Sequence, residues 1–378
     1  MFDDSVFVER FGTVQSRDEN PVATDSDMEQ LTGAYNQFSL DVHNSLASTS
    51  PQDNAIVSGY SLASTLTLTM SGTAGESRAS LLHLDGLSAE SVDATANAVD
   101  LLLDARNNDD LKLRSANRLF VTDDSRFAFR ESFLNNAVGN YGAPIISADF
   151  RNQGPAVVEQ INAWVTTETN GLIQELLTQV DPDTLTVILN AILLDAIWES
   201  TFEDSGDRQF TTHSAETVVV PFFGSQASHY AFVDDTLMPD DLVAFEQSLT
   251  PGKIAETVQL LTLQSASLDI PEWSFEQSIN VKELLLPLGL PSGPMDFSNM
   301  LVDSFVPIEI TGIAQKARIE VDKDGTRAAA ATTVTAIVTS VPAEPLNVTI
   351  DRPFWYAIRD RETGLLLFSG RVLNPLLD

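Results

Sequence analysis

Apolar residues recur at helical spacing through the first half of the chain. Leu62, Leu66 and Met70 share a face behind Ser58 and Ser61, both residues of a type that caps helix N-termini. Val92, Ala96, Val99 and Leu103 repeat the stripe, and a further helix opened by Pro155 carries Val157, Ile161, Trp164 and Val165, with Asn170-Gly171 as its stop. From Leu185 to Trp198 the pattern becomes a nearly continuous run of Ile, Leu and Val broken by Asn190 and Asp195, which reads as a strand buried on both faces. Later segments alternate: Val306, Ile308 and Ile310, then Ala317, Ile319 and Val321, then Leu346, Val348 and Ile350. A helix-rich first half followed by a strand-rich second half predicts an α+β domain built on large mixed sheets. Residues 12–30 are polar and aperiodic, so structure is expected to begin near Leu31. The chain divides into a flexible acidic lead-in, residues 1–30, and one domain, residues 31–378, with no internal linker and no repeat.

Charge narrows the classes of partner. Across 378 residues, 54 Asp and Glu stand against 21 Lys and Arg, a net charge of −33. A field of that sign repels phosphate backbones, heparin-like polyanions and anionic membranes, so none of these is expected as a partner. The acid is spread along the chain, as on the solvated surface of a salt-adapted protein. The absence of cysteine excludes disulfides, thiolate metal sites and a cysteine nucleophile. Met1-Phe2-Asp3-Asp4 lacks the basic and apolar regions of a secretory signal, and no uncharged run is long enough to cross a bilayer.

Enzyme signatures are missing as well. There is no glycine-rich phosphate loop, no His-Glu-x-x-His helix and no Gly-x-Ser-x-Gly elbow. His43, His83, His213 and His229 show no ligand spacing. Glu320, Asp322, Asp324 and Gly325 imitate the start of an EF-hand, but the bidentate Glu that must close the loop would fall on Ala331, so no metal and no cofactor are expected.

The segment after the Ala317–Val321 strand is unusual for a loop. Residues 325–340 contain no proline and one charge, Arg327, and are rich in small and β-branched residues. Thr326, Ala328, Ala330 and Thr332 are all small, so that this face fits between two existing strands; an alanine run equally suits a helix or an ordinary core strand. An exposed segment with strand propensity is normally an aggregation hazard. Its position between a strand and Pro342-Ala-Glu-Pro345 favours the inserting reading.

Gly325-Thr326-Arg327-Ala328-Ala329-Ala330-Ala331-Thr332 resembles the hinge of inhibitory serpins. Asp351-Arg-Pro-Phe354, Ile358-Arg-Asp, Glu362-Thr-Gly and Phe368-Ser-Gly-Arg-Val-Leu-Asn-Pro375 resemble that family's C-terminal signature. Further matches at Asn54 to Leu62, Ala116 to Phe120, Ile161 to Trp164, Thr169 to Gly171, Asn190-Ala191 and Trp198 extend the likeness from about residue 31 to the end. The resemblance implies the serpin fold with an exposed reactive-centre loop at about 325–345. It also implies a metastable native state and covalent trapping of a serine protease when the cleaved loop inserts into the central sheet. It assigns Trp198 and Lys323 to the opening of the sheet, and Ser58, Ser61, Asn190 and Gln315 to the place where its central strands part. Gln315 stands where the family usually has histidine, Gly59 where it has proline, and Arg327 and Lys323 where it has acids. Family spacing puts the reactive bond at Thr339-Ser340, within the range Ile337, Val338 to Val341. With no Lys or Arg before the bond, elastase-like or subtilisin-like targets are expected, met by a monomer in an extracellular or periplasmic setting. A non-inhibitory carrier, chaperone or storage serpin is the alternative, an enzyme of another family or a polyanion-regulated inhibitor less so, since residues 93–110 are acidic.

Overall fold

The computed structural model describes residues 7–10, 13–14, 16–74, 81–84, 86–124, 127–184, 186–198, 202–232, 242–302, 313–326 and 346–377. The expected strand at Val306, Ile308 and Ile310 lies outside them. In chain order the first half contains β1 (Phe7–Arg10), α1 (Asp25–Thr49), β2 (Ala55–Val57), α2 (Gly59–Ser71), α3 (Ala89–Asp104), β3 (Leu111–Thr122), α4 (Glu131–Tyr141), β4 (Ile145–Ala148) and α5 (Phe150–Glu168). The second contains β5 (Thr186–Ile197), β6 (Glu203–Thr211), β7 (Thr217–Phe232), α6 (Leu242–Ser248), α7 (Pro251–Leu260), β8 (Thr262–Pro271), β9 (Trp273–Asn280) and α8 (Val281–Leu285). It ends with β10 (Ala314–Val321), β11 (Gly325–Thr326), β12 (Leu346–Thr349), β13 (Phe354–Arg359) and β14 (Leu366–Val372).

The α1 helix begins six residues before Leu31, at Asp25. Thr24 and Asp27 close it with a reciprocal capping box, in which each side chain accepts the other's backbone N–H. Leu31 is the first fully buried residue of the helix. The preceding segment is docked where it is described. β1 pairs antiparallel with β4, and the Arg17 guanidinium reaches Asp100 at 2.7 Å and Asp104 at 3.3 Å on α3. Composition reads this stretch as a flexible lead-in because its contacts are polar and distant in sequence.

Buried almost all round, α2 lies at the centre of the main core. Leu62, Leu66, Leu68 and Met70 are sealed from solvent, and at about 1.5–3 kcal/mol each they contribute on the order of 10 kcal/mol. Thr65, Thr67 and Thr69 are tolerated there because each hydroxyl donates to the carbonyl four residues back. Gly59 packs against α1 so closely that a Cβ would collide with the Cα of Ser39, which accounts for glycine at this position. In α5 the helix is kinked at Gln153, and Pro155 lies in the first turn after the kink rather than at the helix start.

Four sheets surround this core. The largest has the order β1-β4-β3-β5-β11, with β3 parallel to β4 and antiparallel to β5. The others are β10-β9, β12-β8-β7-β6 and β13-β14-β2. β5 is buried on both faces: Ile192 enters the main core, and Leu189 enters a second cluster under α5 with Phe120, Trp164 and Val165. β12 forms as the alternation predicts, but Leu346 is exposed, so its apolar face does not meet the core.

Candidate functional site: a seam between two sheets

Strands β5 and β10 run side by side without belonging to one sheet. Among the described residues, β5 pairs with β3 on one edge and on the other only with the two residues of β11, while β10 pairs with β9. Because β11 is antiparallel to β5 and returns from β10 by a tight turn, β5 and β10 point the same way. Hollows lie along the line between them. A lower one of about 640 Å³ has Val187 and Leu189 on one side and Ile313 and Gln315 on the other. A narrow middle one of about 20 Å³ separates Leu193 from Ile319, with Leu172 and Ile173 beside it. An upper one of about 640 Å³ lies between Leu194 and Ala196 of β5 and Ile319 and Val321 of β10. Unsatisfied strand edges around unfilled space are costly unless another strand fills them.

The turn at the upper end is built by Asp322. Its carboxylate accepts the Asp324 N–H at 2.8 Å and the Gly325 N–H at 3.2 Å, while its own N–H donates to the Gly325 carbonyl at 3.1 Å. Gly325 has φ +146°, and a Cβ there would collide with the Ala196 carbonyl oxygen. Glycine therefore lets the chain turn onto β5, in the register Gly325 with Ile197 and Thr326 with Ala196. Trp198 locks the corner, its indole N–H donating to the Asp322 carbonyl at 2.7 Å and its ring packing on Phe202 and Phe223.

Lys323 is exposed on this turn with Asp324 at 2.8 Å, and its ammonium is held above the usual lysine range mainly by Asp324, with Asp322 and Glu272 adding to it. Burial pushes the Glu272 carboxyl up, with Asp322 and Asp204 adding to the effect and Lys323 opposing it. The corner is thus an acidic cluster around one lysine.

At the lower end, Gln315 joins β10 to α2. Its amide oxygen accepts the Ser58 N–H at 3.1 Å and its NH2 donates to the Ser58 carbonyl at 3.0 Å, all buried. The Ser58 hydroxyl donates to the Leu367 carbonyl at 2.7 Å and caps α2 by accepting the Ser61 N–H at 3.3 Å. Gln277 of β9 does similar work one step away, accepting the Ile56 N–H at 2.8 Å. The structure therefore brings together Trp198 and Lys323 at the upper corner, and Ser58, Ser61 and Gln315 at the lower end of the seam. Asn190 lies on β5 opposite Asn117 of β3. Sequence reading misses Gln277, Asp322 and the Phe202–Phe223 pair; only Asp322 leaves a trace, as an Asp three residues before a glycine.

Of the expected hinge, Gly325 and Thr326 are described. Arg327, Ala328, Ala329, Ala330, Ala331 and Thr332 lie outside the described residues, as do Thr339, Ser340, Ile337, Val338 and Val341. Among the described residues no three His, Asp or Glu side chains gather as a metal site, and no helix is long and apolar enough to cross a membrane.

Known proteins share this architecture. The family model described as serpin (serine protease inhibitor) matches residues 33–239 and 235–375. An uncharacterized serpin-like protein of Thermococcus kodakarensis is 28% identical over 91% of this chain and 86% of its own length. Leukocyte elastase inhibitor A of Rattus norvegicus is 29% identical over 92% of this chain and all of its own. Among solved structures, the thermophilic serpin tengpin in its native state superposes with a TM-score of 0.83 at 23% identity, covering 97% of this chain and 100% of that one. With a family model that spans nearly the whole domain and the same fold around it, the chain belongs to the serpin family, the family of serine protease inhibitors.

Proposed function

We propose that this protein is a single-use trap for elastase-like or subtilisin-like serine proteases, cleaved at Thr339-Ser340 within the range Ile337, Val338 to Val341. The observation that carries this reading is the open seam with its first two residues already filled by β11. Continuing the β11 register past Thr326 sets Ala328 opposite Leu194, Ala330 opposite Ile192 and Thr332 opposite Asn190. On the other edge, the Asp322–Gly325 bridge carries the same three residues to Ile319, Ala317 and Gln315. Ile192, Ala317 and Ile319 face the main core, so both registers turn the small face of the hinge inward, where larger side chains would be overpacked. Arg327 falls on the outer face between Asp195 and Glu320. An arginine where the family favours an acid thus arrives between two carboxylates.

The chemistry belongs to the target. Its serine attacks the carbonyl of residue 339, the new amino terminus at residue 340 departs, and an ester joins the loop to the enzyme. Insertion of residues 327 onward into the seam then carries the acyl-enzyme away from its working geometry before water cleaves the ester. The absence of Lys and Arg before the bond and the elastase-inhibitor name of the rat relative support a small-pocket target. The encounter takes place in an extracellular or periplasmic compartment, and the inhibitor works as a monomer without metal, cofactor or polyanion.

The test mixes the protein with pancreatic elastase, subtilisin and trypsin over a range of salt, followed by denaturing gels and the mass of the released C-terminal peptide. A band at the summed mass with elastase or subtilisin is expected, together with a peptide beginning at Ser340. Clean cleavage without such a band across the panel overturns trapping and leaves a carrier, chaperone or storage role. A complex with trypsin alone overturns the target class.

A further inference from the structure

The upper hollow of the seam has features that strand insertion does not require. It extends from β5 and β10 to the hairpin between β13 and β14, encloses about 640 Å³, and has an aliphatic floor that includes Leu113 and Ile358. That volume lies within the range of pockets for small ligands. Two polar groups stand in its wall. Trp273 is buried, and its indole Nε1 and the hydroxyl of Tyr356 approach each other without either closing a hydrogen bond of ordinary geometry. Such solvent-sealed donors are seldom left unpaired. Burial holds the Tyr356 hydroxyl well above the usual phenol range, consistent with an apolar interior.

The rim has the opposite character. Arg106 is neutralised by Asp360 at 3.1 Å and Glu362 at 2.8 Å, but Arg359 and Arg361, which also line the hollow, form no ion pair with a described residue. In a chain with 54 acids and 21 bases, two guanidinium groups without carboxylate partners at one mouth form a local attractor for anions.

We propose that this hollow binds an amphipathic carboxylate, with its apolar body along Leu113, Ile358 and Val321 and its head on Arg359 and Arg361. Guanidinium forks match a carboxylate in a bidentate manner, and a hollow of about 640 Å³ has room for an aliphatic body of about ten carbons. Trp273 Nε1 and Tyr356 Oη donate to an oxygen carried within that body. The ligand occupies space that the inserted loop of the proposed trap would fill, so the site belongs to the intact chain, and binding to the intact chain tests it without any protease.

Titration calorimetry of the full chain at fixed ionic strength tests this, with decanoate, decanol and 10-oxodecanoate as probes. Decanoate is expected to bind at one site per molecule and at least tenfold more tightly than decanol. The double substitution Arg359→Gln/Arg361→Gln removes that difference without changing the melting temperature, since both side chains lie at the rim. Ala196→Phe, which extends into the hollow beside Leu194, abolishes binding of both probes. No saturable binding of decanoate, equal binding of decanoate and decanol, or binding unaffected by Ala196→Phe in a protein with native circular dichroism overturns the site.

Discussion

Gln315 shows how much depends on one buried amide. It pairs with both the N–H and the carbonyl of Ser58, and because that carbonyl also accepts the Leu62 N–H, Gln315→Leu leaves the Ser58 N–H unpaired, so the native state should lose about 1–3 kcal/mol in urea titrations. Gln315→His, the family's usual residue, separates by pH. Neutral imidazole donates from one nitrogen and accepts with the other, whereas imidazolium only donates, leaving the Ser58 N–H unpaired. Protonation is thus disfavoured in the fold, the histidine is held below its ordinary value of about 6.5, and stability present at pH 8 is lost as pH falls through that value. A variant as stable at pH 5.5 as at pH 8 contradicts this account.

Asp104 titrates in the opposite sense. Burial, then Asp100, pushes its carboxyl up to about 6 against the pull of Arg17. A raised carboxyl favours the protonated fold, so this contribution is full below about pH 4 and is lost as pH rises through about 6. Asp104→Asn should therefore stabilise the protein at pH 7 and give no gain at pH 4. The side chain is 49% exposed, and solvent screening keeps the gain at or below about 1 kcal/mol. Melting curves at the two pH values read the difference.

At the scale of elements, β11 carries the chain from the turn after β10 onto the edge of β5. Gly325→Ala places a methyl group against the Ala196 carbonyl, which should detach β11 from β5 and weaken the Trp198 bond to Asp322. Exchange of the Trp198 indole proton, followed by NMR, is expected to quicken about tenfold, the equivalent of about 1.4 kcal/mol. An unchanged rate would mean that the corner does not depend on glycine. The sequence made other elements readable for local reasons. Two-sided burial of β5 was written in its Ile-Leu-Val run, and α2 in its spaced leucines, because both patterns repeat within a dozen residues. The capping box ahead of Leu31 is polar and escapes an apolar period, as does the docking of Arg17 on α3, whose partners are more than 80 residues away. The seam leaves no local mark at all. β10 reads as an ordinary strand, and its unpaired edge exists only because β9 and β5 fold into separate sheets. At the site, Gln315 is singled out through the family likeness, whereas Gln277 has nothing in its neighbourhood to distinguish it from any other strand glutamine, and the hinge beyond Thr326 lies outside the described residues.

For the molecule as a whole, the proposed trap requires that this fold not be the lowest-energy arrangement once the segment 327–345 is cut. Among the described residues, β5 and β10 have between them a single two-residue partner, β11. A strand of about ten residues entering there gains ladder bonds on both sides at about 1 kcal/mol each, on the order of 10 kcal/mol in total, and fills the hollows besides. On the proposed reading, the segment between β11 and β12 is anchored at both ends before cleavage, so that connectivity opposes full insertion. The net charge of −33 adds a second opposing force, since repulsion among carboxylates disfavours the more compact sheet until salt screens it over about 10 Å at 0.1 M. Limited proteolysis within residues 327–345 should therefore raise the melting temperature well above that of the intact chain, and the increment should grow from 0.1 M to 1 M salt. Calorimetry of intact and nicked protein at both concentrations measures it. A nicked protein that melts at or below the intact one would show that the seam is not filled by the freed strand, and that the spacing of β5 and β10 serves some other end.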